Sequence, residues 1–202
     1  TKREVFARLD ALCPERTILA TNSSSLRVSR IEDVTRRLDR VLNLHFFAPV
    51  AERPVVELMG GSATAPETIE RVRQFARGLD MTPLIVRRES TGFIFNRVWR
   101  AVKRECLHLV DQGVASPEDV DRAWMFLYRT PMGPFGQMDM IGLDVIRDIE
   151  MVYYGESGDE ADAPPQFLND MIARGELGVK TGKGFYTYPH PAYEDPGWLK
   201  GE

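Results

Sequence analysis

Cysteine is scarce in this chain of 202 residues: there are two, Cys13 and Cys106, far apart and neither within a C-x-x-C pair. That excludes a disulfide scaffold and argues against a thiolate metal site. Both cysteines fall in apolar helical patterns and read as buried free thiols in a reduced compartment. Long apolar runs are also missing. None reaches the ~18–20 residues of a membrane span, and no secretory signal opens the chain, so the expectation is a cytoplasmic protein. A basic surplus is absent, with a net charge of −4. Nucleic-acid binding needs a net-positive face, so that class is set aside. The local pairs Arg36-Arg37 and Arg87-Arg88 read as solvated element ends. The chain has no internal repeat, no low-complexity segment and no G-x-G-x-x-G turn.

What is present is ordinary for a globular protein: 43% apolar and 28% charged residues, enough chain for one large or two small domains. Val5, Phe6, Leu9 and Leu12 keep helical spacing up to Pro14. Thr17 to Ala20 reads as a buried parallel strand, followed by the small polar run Thr21 to Ser25. Leu26, Ile31 and Val34 suggest a short helix. Val41 to Phe47 and Pro54 to Met59 read as strands. Thr64 and Glu67 form a capping box, with Ile69, Val72, Phe75 and Leu79 on one face of the helix behind it. Pro83 to Val86 is another short strand. Alternating helices and strands predict an α/β sheet.

After about residue 90 the pattern turns helical. A long amphipathic helix spans 93–110, and a new one starts at Ser116 and Asp119. Pro131 to Pro134 is a hard break, with helices expected over 135–154 and 166–173. The expected boundary lies near residue 89, dividing 1–89 from 90–202.

Histidine 45 ends one apolar run just before a proline, and Glu57 sits in the next. A carboxylate beside an imidazole fixes its tautomer and strengthens it as a base. If the two runs pair, the chain carries an acid/base couple. Spacing alone leaves the plainer account ahead, a strand-end histidine and an exposed glutamate.

Taken in order, Thr21-Asn22-Ser23-Ser24-Ser25-Leu26, His45-Phe46-Phe47, Val56-Glu57, Thr91-Gly92-Phe93-Ile94-Phe95-Asn96-Arg97, Pro131-Met132-Gly133-Pro134 and Lys180-Thr181-Gly182-Lys183-Gly184-Phe185-Tyr186 closely resemble the 3-hydroxyacyl-CoA dehydrogenases. The resemblance covers nearly all of the chain. It implies the second half of a Rossmann-type, dinucleotide-binding sheet followed by an all-α helical domain that carries a homodimer contact. It implies NAD-dependent oxidation of an L-3-hydroxyacyl-CoA to the 3-ketoacyl-CoA, as in fatty-acid β-oxidation or butanoate-type metabolism. His45 becomes the general base and Glu57 its orienting partner. Ser24 and Asn96 match the polar residues around the substrate oxygen and the nicotinamide. Asn22, Ser24 and Lys180 match the cofactor contacts. Each has a plainer account: Ser24 as a helix cap, Asn96 as a first-turn residue, Lys180 as a solvated surface lysine.

The chain departs from the family pattern in three places. It starts at Thr1 without methionine, straight into a helical pattern, and lacks the glycine-rich turn and the ribose-binding acid. It therefore reads as an inactive fragment expected to bind NAD very weakly or not at all, with an open sheet edge and an uncovered apolar face. Ala48 stands where the family commonly has Asn. Ala51-Glu52-Arg53-Pro54 replaces a Pro-Val-Met-Lys-like run. These two changes leave the acyl-chain length and the CoA requirement open. A dehydrogenase of a non-CoA hydroxy acid, diketo acid or carnitine is the alternative enzyme. A non-catalytic dimerisation module is the alternative from another class.

Overall fold

The computed structural model describes residues 1–24 and 26–201. It divides into two compact units, Thr1–Val98 and Trp99–Glu202.

The first unit opens with helix α1 (Lys2–Leu12), of which Phe6 and Asp10 are buried while Val5, Leu9 and Leu12 are exposed. Arg37 ends that helix. Its guanidinium is buried, paired with Asp10 at 2.7 Å, and donates to the carbonyls of Asp10, Cys13 and Pro14. A cation there satisfies last-turn carbonyls and meets the negative end of the helix dipole. The expectation of a solvated Arg36-Arg37 end therefore fails at Arg37: a charge pair in sequence does not reveal that a helix end needs a donor.

Four strands follow: β1 (Leu19–Thr21), β2 (Val41–Phe46), β3 (Val55–Gly60) and β4 (Thr82–Val86). They form one mixed sheet in the order β1-β2-β3-β4, with β1 parallel to β2, β2 antiparallel to β3, and β3 parallel to β4. Alternation sends Leu42, Val56 and Leu58 to one face, under helix α2 (Pro66–Arg77) and its Val72 and Ala76. Leu19 and Val41 pack with Val28 and Ile31 in a separate cluster.

Three expectations in this unit need correction. The segment after the serine run forms short 3₁₀ turns at Val28–Arg30, Glu32–Val34 and Leu38–Arg40 in place of a helix. The capping box does not form: Ala65 is the N-cap, and the Thr64 hydroxyl donates to Val41 O and accepts from Gly61 N–H. The buried face of α2 is Thr68, Val72 and Ala76, whereas Phe75 and Leu79 are exposed.

The boundary between units falls inside helix α3 (Phe95–Asp111). Helices α4 (Pro117–Tyr128), α5 (Pro134–Ile141), α6 (Leu143–Ser157) and α7 (Gln166–Ala173) complete the second unit. Ser116 caps α4 as expected, accepting from Asp119 N–H at 3.1 Å. The single helix expected over 135–154 is two, because Gly142 at φ +103° takes a conformation an L side chain resists. The core joins Leu107, Met125, Phe135, Met138, Leu143, Ile146 and Leu168. Each such side chain contributes roughly 1.5–3 kcal/mol on burial.

Two buried carboxylates knit this unit together. Asp121 accepts from Phe135 N–H (2.8 Å), Gly136 N–H (2.9 Å) and the Tyr186 hydroxyl (3.0 Å). Asp139 accepts from Phe185 N–H (3.0 Å), Tyr186 N–H (2.9 Å) and the Tyr188 hydroxyl (3.0 Å). The aromatic segment near the C-terminus is thereby stitched to α4 and α5. Lys103, buried in α3, donates to Glu150 of α6 at 3.0 Å, and Arg100 shares that carboxylate at 3.2 Å. No described helix is long and apolar enough to cross a membrane. Among the described residues no cluster of His, Cys, Asp or Glu could hold a metal ion.

Candidate active site

The antiparallel register of β2 and β3 sets His45 directly opposite Glu57. Directly opposed residues project from the same face of a sheet. The two side chains meet: His45 Nδ1 lies 2.9 Å from Glu57 Oε2. Both are interior, with side chains 7% and 0% exposed. The pair expected from the sequence forms, and the plainer account fails because Glu57 is wholly buried.

A buried carboxylate needs its remaining lone pairs satisfied. Glu57 Oε1 accepts from Ile94 N–H at 3.0 Å and Phe95 N–H at 2.9 Å. These amides belong to the entry of α3, where free N–H groups and the helix dipole favour an anion. One oxygen thus meets the helix and the other meets the imidazole. The bond to a carboxylate makes Nδ1 the donor and leaves Nε2 as the basic nitrogen. The imidazole is walled by Phe47 (ring centroids 4.7 Å apart) and Phe93 (5.3 Å), and Phe47 meets Phe95 edge-on at 5.6 Å.

The polar loop after β1 leaves the carboxyl end of that strand, the edge where ligands bind in α/β sheets. Asn22 Oδ1 accepts from Phe46 N–H at 2.9 Å, joining the loop to the residue after His45. Ser23 Oγ accepts from Leu26 N–H at 3.1 Å. Ser24 is exposed, and its carbonyl lies 3.4 Å from Asn96 Nδ2. Ser25 lies outside the described residues. His45, Glu57, Asn22, Ser24 and Asn96 therefore share one region of the first unit.

Lys180 belongs to the second unit. Its ammonium bonds both oxygens of Asp144, at 2.5 and 2.6 Å. That bond holds the Asp144 carboxyl below its usual range.

Two residues that hold the site escaped the sequence reading. Asn43 is fully buried; its Oδ1 accepts from Val28 N–H at 2.9 Å and its Nδ2 donates to Leu26 O at 3.0 Å. It pins the loop carrying Ser23 and Ser24 onto β2. The available signal was one amide inside an otherwise apolar strand. Phe93 is the other, a buried residue with left-handed backbone at φ +55°. A single sequence gives no sign of that conformation beyond the adjacent Gly92.

Residues 1–90 match the family described as 3-hydroxyacyl-CoA dehydrogenase, NAD binding domain, and residues 92–188 match its C-terminal domain. The chain is 40% identical over 187 residues to a 3-hydroxybutyryl-CoA dehydrogenase of Clostridioides difficile, covering 93% of this chain and 66% of that protein. It is 37% identical to the human mitochondrial hydroxyacyl-coenzyme A dehydrogenase, over 93% of this chain and 60% of that one. Among solved structures, the (S)-3-hydroxybutyryl-CoA dehydrogenase of Ralstonia eutropha superposes with a TM-score of 0.87 at 34% identity, covering 94% of this chain and 66% of that one. The chain thus spans 60–66% of the length of these relatives.

Proposed function

The chain belongs to the 3-hydroxyacyl-CoA dehydrogenase family, and from that premise we propose that its protein oxidises the 3-hydroxyl of an L-3-hydroxyacyl-CoA to a ketone. The observation that carries the reading is the buried 2.9 Å bond between His45 Nδ1 and Glu57 Oε2. His45 Nε2 takes the hydroxyl proton as the carbon–oxygen double bond forms. Glu57 holds the ring in the productive tautomer and stabilises the imidazolium that results. The Ser24 hydroxyl and the Asn96 carboxamide hold the substrate oxygen as charge develops on it.

Bound NAD supplies the hydride acceptor. The fit to that cofactor rests on the donors at the carboxyl end of β1 and the start of α3: the Ser24 hydroxyl and the carboxamides of Asn22 and Asn96 suit the carboxamide of a nicotinamide. No glycine-rich turn for the pyrophosphate occurs in the 202 residues, so these groups bear on the nicotinamide end alone. Lys180 is carried as a cofactor contact by the family resemblance, and its bond to Asp144 would have to open for that role.

We also propose a homodimer through the helical unit. Phe126, Leu127, Tyr128, Met140, Ile141 and Val145 are exposed there, more apolar surface than a solvated face needs. The free cysteines Cys13 and Cys106 suit a reduced, cytoplasmic setting.

Steady-state NADH oxidation by the protein decides between substrates. Acetoacetyl-CoA is expected to turn over with a kcat/KM at least about 100-fold above free acetoacetate, about 2.7 kcal/mol of transition-state binding. His45→Gln is expected to abolish turnover while leaving the sedimentation behaviour unchanged. Equal rates on the thioester and the free acid, or an active His45→Gln variant, overturn the proposal.

A further inference from the structure

Among the described residues, three non-glycine residues have positive φ: Asp80, Phe93 and Arg129. Asp80 and Arg129 are exposed, and Arg129 is the C-cap of α4. Those are ordinary places for left-handed backbone. Phe93 differs, being 2% exposed, aromatic, and preceded by Gly92, itself at φ +75°. A bulky L residue resists this conformation, because Cβ crowds the following carbonyl. It persists only where the surroundings over-determine it.

The surroundings here are the dyad. Phe93 N–H bonds Ser90 O at 3.1 Å, closing the turn that precedes α3. The next two amides, of Ile94 and Phe95, both reach Glu57 Oε1. The ring of Phe93 packs 5.3 Å from that of His45. With right-handed or extended backbone at position 93, the chain leaves Gly92 in another direction and the two amides no longer converge on one oxygen. A carboxylate with no exposure that loses two N–H donors is left with unsatisfied lone pairs and nothing to hold its orientation. Once it turns away from the ring it stops fixing the imidazole tautomer.

We propose that Phe93 is the positioning residue of the dyad, its left-handed backbone aiming the Ile94 and Phe95 amides at Glu57 so that the carboxylate is held in place against His45 Nδ1–H. The consequence for turnover rests on His45 being the base; the geometric claim does not.

Three substitutions separate backbone from ring. Phe93→Gly removes the ring and permits the same φ without strain. Phe93→Ala removes the ring and retains the strain. Phe93→Val removes the ring and adds β-branching, which resists left-handed backbone further. The first readout is ¹H and ¹⁵N NMR of the His45 imidazole, where the wild type is expected to show a carboxylate-bonded Nδ1 proton. Phe93→Gly should keep that signal, Phe93→Ala weaken it, and Phe93→Val lose it. The second readout is kinetic. kcat should fall in the order Gly, Ala, Val, with Ala about 5-fold and Val about 50-fold below Gly, while KM for the thioester stays within about 3-fold.

Equal Nδ1 signals and equal kcat across Gly and Ala overturn the proposal, and that pair suffices if Phe93→Val does not fold. Loss of the signal in all three variants alike also overturns it, since the ring alone would then be responsible. If the NMR order holds and the wild type turns over no hydroxyacyl-CoA, the functional reading fails and the positioning role stands.

Discussion

Replacing Glu57 by glutamine tests the dyad with little change in volume. The carboxylate has three donors: His45 Nδ1 at 2.9 Å on one oxygen, and the Ile94 and Phe95 amides at 3.0 and 2.9 Å on the other. The two amides fix which end of the glutamine carries its oxygen, because two N–H groups cannot face an NH₂. The NH₂ is then turned toward His45 Nδ1 and requires an acceptor there. The imidazole answers by moving its proton to Nε2, the nitrogen that should receive the hydroxyl proton. The ring remains in place in the wrong tautomer. The same exchange behind the histidine of a serine protease lowers kcat about 10⁴-fold. An effect of 10³–10⁴ is expected here, about 4–5 kcal/mol in the barrier. The effect on folding is much smaller, about 1–2 kcal/mol, because one charge-assisted bond is lost while the cost of burying a charge is relieved. The assay pairs steady-state acetoacetyl-CoA reduction with thermal unfolding and imidazole NMR. A Glu57→Gln protein with kcat within about 10-fold of wild type and an unmoved Nδ1 proton would refute the reasoning.

Two further outcomes follow from the helical unit. Burial pushes the Asp121 carboxyl up to about 6 from an ordinary 3.8. The folded state then holds that proton more tightly than the unfolded chain does. Asp121's contribution to stability is therefore greatest below about pH 4 and declines as the pH rises through 6, by about 3 kcal/mol at 1.36 kcal/mol per unit. The stability of wild type relative to Asp121→Asn should fall by that amount as the pH rises from 4 to 7; parallel curves, or a relative gain by wild type, reject the assignment. Lys103→Met removes the buried partner of Glu150 but leaves Arg100 on the same carboxylate, 3.2 Å away. The expected loss is about 1–3 kcal/mol, below the 3–5 typical of an orphaned buried charge. Lys103→Met with Arg100→Met together should lose more than the sum of the two single changes, and strict additivity in chemical denaturation would contradict a shared carboxylate.

The parts of this molecule legible in the sequence are those that depend on local pattern. Short apolar runs placed β2 and β3. Ser116 announced α4 through a side-chain cap whose chemistry lies within the four residues 116–119. His45 and Glu57 were legible as candidates because a polar group in an apolar run asks for an explanation. What stayed hidden depends on partners distant in sequence. Arg37 reads as a surface cation until the end of α1 needs its donors. Thr64 matches a capping signature yet gives its hydroxyl to Val41 O. Phe75 and Leu79 keep helical spacing, but the sheet under α2 accepts the stripe one step round, at Val72 and Ala76. Asn43 passes unremarked inside a strand and is the bracket that holds the loop bearing Ser24. The break at Gly142 was missed because an isolated glycine within a helical pattern is often tolerated.

His45 and Glu57 face each other across a single antiparallel hairpin, and residues 47–54 connect its two arms. Register in such a pair is set by the strands and by which face is buried, since a one-residue slip would turn every side chain over. The connecting segment can therefore change in length and composition while the imidazole and its carboxylate stay where they are. That segment carries the departures at Ala48 and at 51–54, and Arg53 reaches back across it to Ala48 O at 2.8 Å. For protein engineering the hairpin behaves as a fixed tool with an exchangeable tip. Libraries confined to residues 48–54, which spare the Phe47 ring against His45, should leave the His45–Glu57 pair intact, because surface connections tolerate insertion far better than paired strands do.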